Sequence, residues 1–271
     1  MKHATSTVKY LGFMLIFILI ISIISIATLW HSTIDNSAQN LYPKSSINIK
    51  YQLPWQREFY FNRIKEFEEN PIGNNKIVFL GNSITAGGGN WNQRFNTNNI
   101  VNRGISGDYT EGILNRLNEI IYYKPIAVFL LTGVNEFFKD NSNNTEITPD
   151  YVADNILKIA EKIKNGCPST RIYIQTIFPI NNQYYMNVKM VDYNFLRNDY
   201  SPSVNAQINE VNLILNNNNK FKVLDLHKHF LNNLNILDPI YSIDGVHLNQ
   251  NGYRVWADKI SHLIQKLNSK L

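Results

Sequence analysis

From residue 54 to the end of the chain, short apolar runs alternate with longer amphipathic stretches. The runs Lys76–Gly81, Ile100–Arg103, Ile126–Thr132, Arg171–Ile177 and Lys222–Leu226 predict strands. Helical patterns occupy Thr110–Tyr122, Pro149–Asn165, Pro202–Asn216 and Gln250–Leu267, and a further helix is expected at Trp55–Glu69 before the first strand. Strands that alternate with helices predict an α/β fold with a parallel sheet covered by helices. Ile180 to Ser201 breaks the alternation. It is long, aromatic and irregular, as expected of a loop over a site, and its Tyr184, Tyr185 and Tyr193 suit either a groove wall or plain packing.

A different pattern precedes the domain. Leu11 to Trp30 reads LGFMLIFILIISIISIATLW, an uncharged apolar run about long enough to cross a bilayer. Lys2 and Lys9 precede it and no Lys or Arg follows until Lys44, which keeps residues 1–10 cytoplasmic and exports the rest. The alternative is a cleaved signal peptide, for which Ser25-Ile26-Ala27 supplies small residues; the apolar core is longer than such segments usually carry, which favours an anchor. Residues 31–53, polar and without periodicity, read as a spacer, and 54–271 as the folded domain.

Composition changes little in this picture. The chain has 271 residues, 44% of them hydrophobic and 17% charged, enough for one sizeable core plus the N-terminal segment. The net charge of +5 is scattered, with no basic run or aromatic-basic motif, so nucleic acid is not an expected partner. Cys167, the single cysteine, excludes an internal disulfide and reads as a buried small hydrophobe.

Chemistry-bearing residues gather where the strands end. In a doubly wound sheet of order 2-1-3-4-5, loops at the carboxyl ends of the strands form the ligand crevice. Ser83 follows the first strand in IVFLGNSITAGGG, Gly104 follows the second in RGISGD, and Asn135 follows the third in LLTGVNEFF. Asp244 and His247, in DGVHLNQNGY, come after the fifth. A serine hydroxyl is a poor nucleophile at neutral pH and requires a base, which in turn benefits from a group that fixes its tautomer. His247 would be that base and Asp244 its orienting partner. The Ser83 N–H, the Gly104 N–H and the Asn135 amide are the candidate donors to an oxyanion.

Together GNSIT, NRGISGDYTEGILNRL, LLTGVNE and DGVHLNQNGY resemble the four blocks of the SGNH, or GDSL-type, hydrolases, over nearly all of Lys76 to Leu267. The chain is most similar to the branch containing the catalytic subunits of platelet-activating-factor acetylhydrolase and bacterial carbohydrate O-acetylesterases. That resemblance implies a three-layer α/β/α, flavodoxin-like doubly wound sheet of five strands, no metal or other cofactor, and hydrolysis of small acyl esters. It implies Ser83, His247 and Asp244 as a catalytic triad and Ser83, Gly104 and Asn135 as the oxyanion hole. Asn82 stands where the family name has Asp, and Glu136 where Asp is common; both bear on loop geometry or pH dependence rather than on the triad. With the N-terminal segment, this gives the expectation of an exported, membrane-tethered esterase acting on a short acyl ester of a glycan. An acyltransferase on the same triad and a noncatalytic carbohydrate-binding module are the alternatives.

Several motifs have simpler explanations. Asp108 and Glu111 fit a capping box for the helix after Gly107, which gives them no acid–base role. Asp225, His227 and His229 resemble a metal cluster, because alternate strand residues share a face, but an open catalytic zinc site would need further support. GNSITAGGG lacks the Lys-Ser/Thr of a phosphate loop, and Thr85 occupies the second glycine position of a G-x-S-x-G elbow.

Overall fold

The computed structural model describes residues 19–23, 25, 41–140 and 146–269. The chain divides into a unit ending at Tyr42 and a second, Pro43–Leu271. The expected membrane segment lies mostly outside the described residues; its residues 19–23 and 25 are helical and exposed. Among the described residues no helix is long and apolar enough to cross a membrane.

The second unit holds one parallel sheet of order β2-β1-β3-β4-β5, as the alternation predicts. Its strands are β1 Ile77–Gly81, β2 Ile100–Gly104, β3 Ala127–Leu131, β4 Arg171–Gln175 and β5 Lys222–Leu224. The helices are α1 Pro54–Glu69, α2 Ser83–Ala86, α3 Trp91–Phe95, α4 Thr110–Leu114, α5 Asn118–Tyr123, α6 Pro149–Gly166, α7 Asn182–Lys189, α8 Val204–Asn217 and α9 Gln250–Asn268. Every residue of β1 and β3 is buried, so both faces of the central sheet are covered, and this is why these strands read as unbroken apolar runs. Helices α4, α5 and α8 all contact α6, while α3 contacts α9. Phe79 of β1 stacks on Trp91 of α3 with ring centroids 4.4 Å apart, and Trp256 of α9 meets Trp91 edge-on at 4.8 Å.

Four expectations are corrected. The helix predicted over Thr110–Tyr122 is broken at Asn115, because Arg116 turns inward instead of continuing along the helix surface. Its guanidinium donates from Nε to Asp108 Oδ2 at 3.0 Å, from Nη1 to Arg103 O at 2.8 Å and from Nη2 to Gly81 O at 3.0 Å. Asp108 is therefore no helix cap: it is buried against Arg116, and Tyr109 takes the N-cap position without a side-chain bond. Glu111 instead accepts from Tyr151 Oη. The expected loop from Ile180 to Ser201 contains a regular helix, α7, capped by the Asn181 side chain. Residues 43–53, expected as spacer, belong to the second unit, where Arg57 bonds to Ile47 O at 2.8 Å.

The buried Arg116–Asp108 pair makes a stability prediction. Arg116→Met would leave an uncompensated carboxylate in the interior, and its removal should cost about 3–5 kcal/mol in denaturant unfolding. A loss below about 1 kcal/mol would show that the pair is dispensable.

Candidate active site

The helix that carries Ser83, the expected nucleophile, begins with a division of labour between neighbours. Asn82 caps α2 by accepting from Ile84 N at 3.0 Å, so Ser83 occupies the first helical position with its hydroxyl uncommitted to capping. Two glycines make room for this turn. A Cβ on Gly81 would stand 2.2 Å from Leu131 O, and one on Gly104 would stand 2.2 Å from Ala86 N. The ends of β1 and β2 can therefore approach α2 only as glycine.

Asp244 and His247, the expected orienting group and base, sit on a tight turn before α9. Ser242 Oγ donates to His247 O at 2.8 Å and accepts from Gly245 N at 2.7 Å, closing the loop that an isolated bridge between Ser242 and Leu248 anchors. Gly245 adopts φ +89° within it. Asp244 Oδ1 accepts from Val246 N at 3.0 Å and His247 N at 2.8 Å. Asp244 Oδ2 lies 2.8 Å from His247 Nδ1, and His247 Nε2 lies 3.0 Å from Ser83 Oγ. Burial works against ionisation of Asp244, but the bonds from the His247 ring and from the His247 and Val246 amides outweigh it, and the carboxyl falls well below the usual carboxylate range. An ionised Asp244 keeps the ring proton on Nδ1, which leaves Nε2 as the acceptor facing the serine.

The three expected oxyanion donors divide differently. The Ser83 N–H opens α2, and Asn135 anchors its amide by donating from Nδ2 to Asp108 O at 2.8 Å, which leaves its second N–H. The Gly104 N–H is already committed: it donates to Asn102 Oδ1 at 2.9 Å. Gly104 serves instead as the close-packing residue beneath α2. Gly107, three residues on, has φ +74° in a turn where Asp108 N bonds to Ile105 O, and its N–H makes no hydrogen bond among the described residues. Sequence reading passed over it because both glycines lie in one motif, and only the Asn102 side chain distinguishes them.

A cavity of about 710 Å³ opens at Ser83 and His247, and its outer wall is α1, through Phe59, Asn62, Arg63 and Glu66. Tyr60, Ile64 and Phe67 bury one face of that helix, while Trp55 and Phe59 remain more than half exposed on another. Two exposed aromatics beside a core-facing stripe were the readable signal for this wall. Of the two readings of the tyrosines, packing describes two: Tyr185 packs edge-on against Phe138 and Tyr193 stacks on Phe195, and neither lines this cavity. In the Asp225–His229 segment the strand ends at Leu224, so the three side chains do not share a strand face. His227 Nδ1 instead lies 2.7 Å from Ile177 O, and Asp225 pairs with Lys228.

The model of the GDSL-like lipase/acylhydrolase family matches residues 79–255, and the chain belongs to that family. Its activity class is that of a carboxylic-ester hydrolase. A comparison with curated proteins finds no match. Among solved structures the chain is similar to a GDSL-like lipase from Bacteroides thetaiotaomicron, at 23% identity over 78% of this chain and 98% of that one, with a TM-score of 0.59. It is also similar to a Streptococcus pneumonia protein named for platelet activating factor, at 20% identity over 77% and 92%, TM-score 0.59. A third likeness is to the acetyl xylan esterase AlAXEase, at 22% identity over 70% and 99%, TM-score 0.54. At these identities the likeness concerns the fold.

Glu136, beside Asn135, is fully enclosed and accepts from Thr110 N. Burial pushes its carboxyl up to about 7 from 4.5, against the Thr110 bonds that pull it down. Its contribution to stability is therefore complete below pH 4.5 and lost as the pH rises through about 7. In Glu136→Gln that part of the decline should vanish, so urea midpoints should vary less between pH 4.5 and 7 than in the wild type. An identical pH dependence in the two proteins would mean that folding does not raise this carboxyl's titration.

Proposed function

We propose that this protein is an exported, membrane-tethered serine esterase that removes a short acyl group, acetyl above all, from a cell-envelope or extracellular glycan. The observation that carries the reading is the continuous chain from Ser83 Oγ through the His247 ring to Asp244 Oδ2. In the first step Ser83 Oγ attacks the ester carbonyl while His247 Nε2 takes its proton. The Ser83 and Gly107 N–H groups and the free N–H of Asn135 hold the resulting oxyanion. His247 then protonates the departing sugar oxygen, and water, activated by the same ring, hydrolyses the acyl-enzyme.

The cavity supports the choice of substrate. Asn62, Arg63, Glu66 and Ser106 line it together with Phe59 and Ile243, a mixture of hydrogen-bonding and flat apolar groups that suits a sugar ring better than a long acyl chain. The apolar run at Leu11–Trp30, with lysines on its N-terminal side only, supports export and tethering.

Ser83→Ala, kept folded, should lower turnover of p-nitrophenyl acetate by several orders of magnitude, and Asn135→Ala by roughly a hundred- to a thousandfold. Near-normal turnover in Ser83→Ala would sink the esterase assignment. Phe59→Ala should weaken kcat/KM for an acetylated oligosaccharide by about tenfold while sparing p-nitrophenyl acetate, as expected for loss of one aromatic contact to the leaving sugar. Equal effects on both substrates would remove the glycan from the reading and leave a general esterase.

A further inference from the structure

Helix α7 rests directly on the turn that carries the acid–base pair. Asn181 N donates to Gly245 O at 2.7 Å, and a Cβ on Gly245 would stand 2.4 Å from Asn181 O and 2.8 Å from Tyr185 N. Backbone lies against backbone, with no space for a side chain between. From the last turn of this helix, Lys189 reaches Asp244: its Nζ is 3.1 Å from Oδ2, the oxygen that also faces His247 Nδ1. With two amides on Oδ1 and these two donors on Oδ2, the carboxylate's acceptor sites are filled.

We propose that Lys189 is a positioning residue of the triad, a fixed positive charge that shares Asp244 Oδ2 with His247 and sets the pH at which His247 becomes a base. The proposal rests on the triad reading above. A carboxylate beside an imidazole favours the imidazolium, whereas a cation on the same carboxylate offsets that pull. Because both nitrogens sit on one oxygen, Nζ is within about 6 Å of Nδ1, where a half-exposed unit charge displaces a titration by roughly half a pH unit to one.

The other polar groups around the ring do not supply this effect. Arg63 and Glu66 of α1 line the same cavity but pair with each other. Burial pushes the phenols of Tyr185 on α7 and Tyr253 on α9 up, which keeps them neutral. Arg94 stands behind the Tyr253 ring, 4.7 Å from its centroid, and is bonded to Gly88 O and Gln250. Ser83 carries no charge. Lys189 is the cation in direct contact with the triad carboxylate among the described residues.

The test compares Lys189→Gln and Lys189→Arg in the full chain. With p-nitrophenyl acetate, the acid limb of kcat/KM against pH should move up by roughly half a unit to one in Lys189→Gln and stay near the wild-type position in Lys189→Arg, whatever the plateau height. The His247 ring signal, followed by NMR, should show the same displacement without requiring turnover. A wild type that hydrolyses no ester, together with the displaced ring titration, would overturn the esterase reading and leave this proposal standing. A limb and ring titration unmoved in Lys189→Gln would overturn it. So would an equal displacement in Lys189→Arg, which would reduce Lys189 to a strut for α7.

Discussion

The guanidinium of Arg116 is the point to which the site-bearing loops are tied. An arginine placed in the interior is stable only when its donors are met, and here they meet Asp108, Arg103 O and Gly81 O. Gly81 ends β1 and Arg103 is the last residue but one of β2, the strands from which the Ser83 and Gly107 loops depart. Asp108, held by the same guanidinium, offers its carbonyl to Asn135 after β3. One buried ion pair thus sets the relative positions of a serine, a glycine turn and an amide that lie far apart in sequence.

His247, the proposed base, arrives by a separate route, and its placement depends on α9. Asn249 caps that helix through Gly252 N, and Tyr253 in its first turn donates to Ile84 O at 2.8 Å, inside the nucleophile helix. Trp256, one turn on, donates to Gln175 Oε1 at the end of β4 while packing on Trp91. These contacts lock α9 against α2 and the sheet, so His247, just before the helix, is delivered to Ser83 across 164 positions of sequence. Rigid packing supplies the orientation that a reaction between two side chains requires.

Much of this was legible in the sequence, for identifiable reasons. The strands of the sheet are short apolar runs separated by helical patterns, and Ser83, Asp244 and His247 lie in motifs whose local spacing already implies the turn they form. What escaped detection depended on contacts between distant residues. Asp108 resembles a helix cap until Arg116, two turns away, folds inward to claim it. Gly104 and Gly107 are equivalent in a motif, and a single bond from Asn102 separates them. Helix α7 was hidden in a segment of mixed aromatic and polar residues, and the cavity wall on α1 in a helix that buries one face and exposes Trp55 and Phe59 on another.

A pattern of satisfied and unsatisfied groups runs through the site. Around Asp244 every acceptor position is filled, so the orienting carboxylate has one arrangement and stays charged. Beside Ser83 the balance is reversed: Asn135 uses one amide proton and keeps another, and the Gly107 N–H is uncommitted among the described residues. Donors left without protein acceptors cost the resting protein little only where water can meet them. On the proposed mechanism they become most favourable when negative charge develops between them, as the serine adds to a carbonyl. The fold has spent its own acceptors on the side that must stay fixed and withheld them on the side where the reaction creates one.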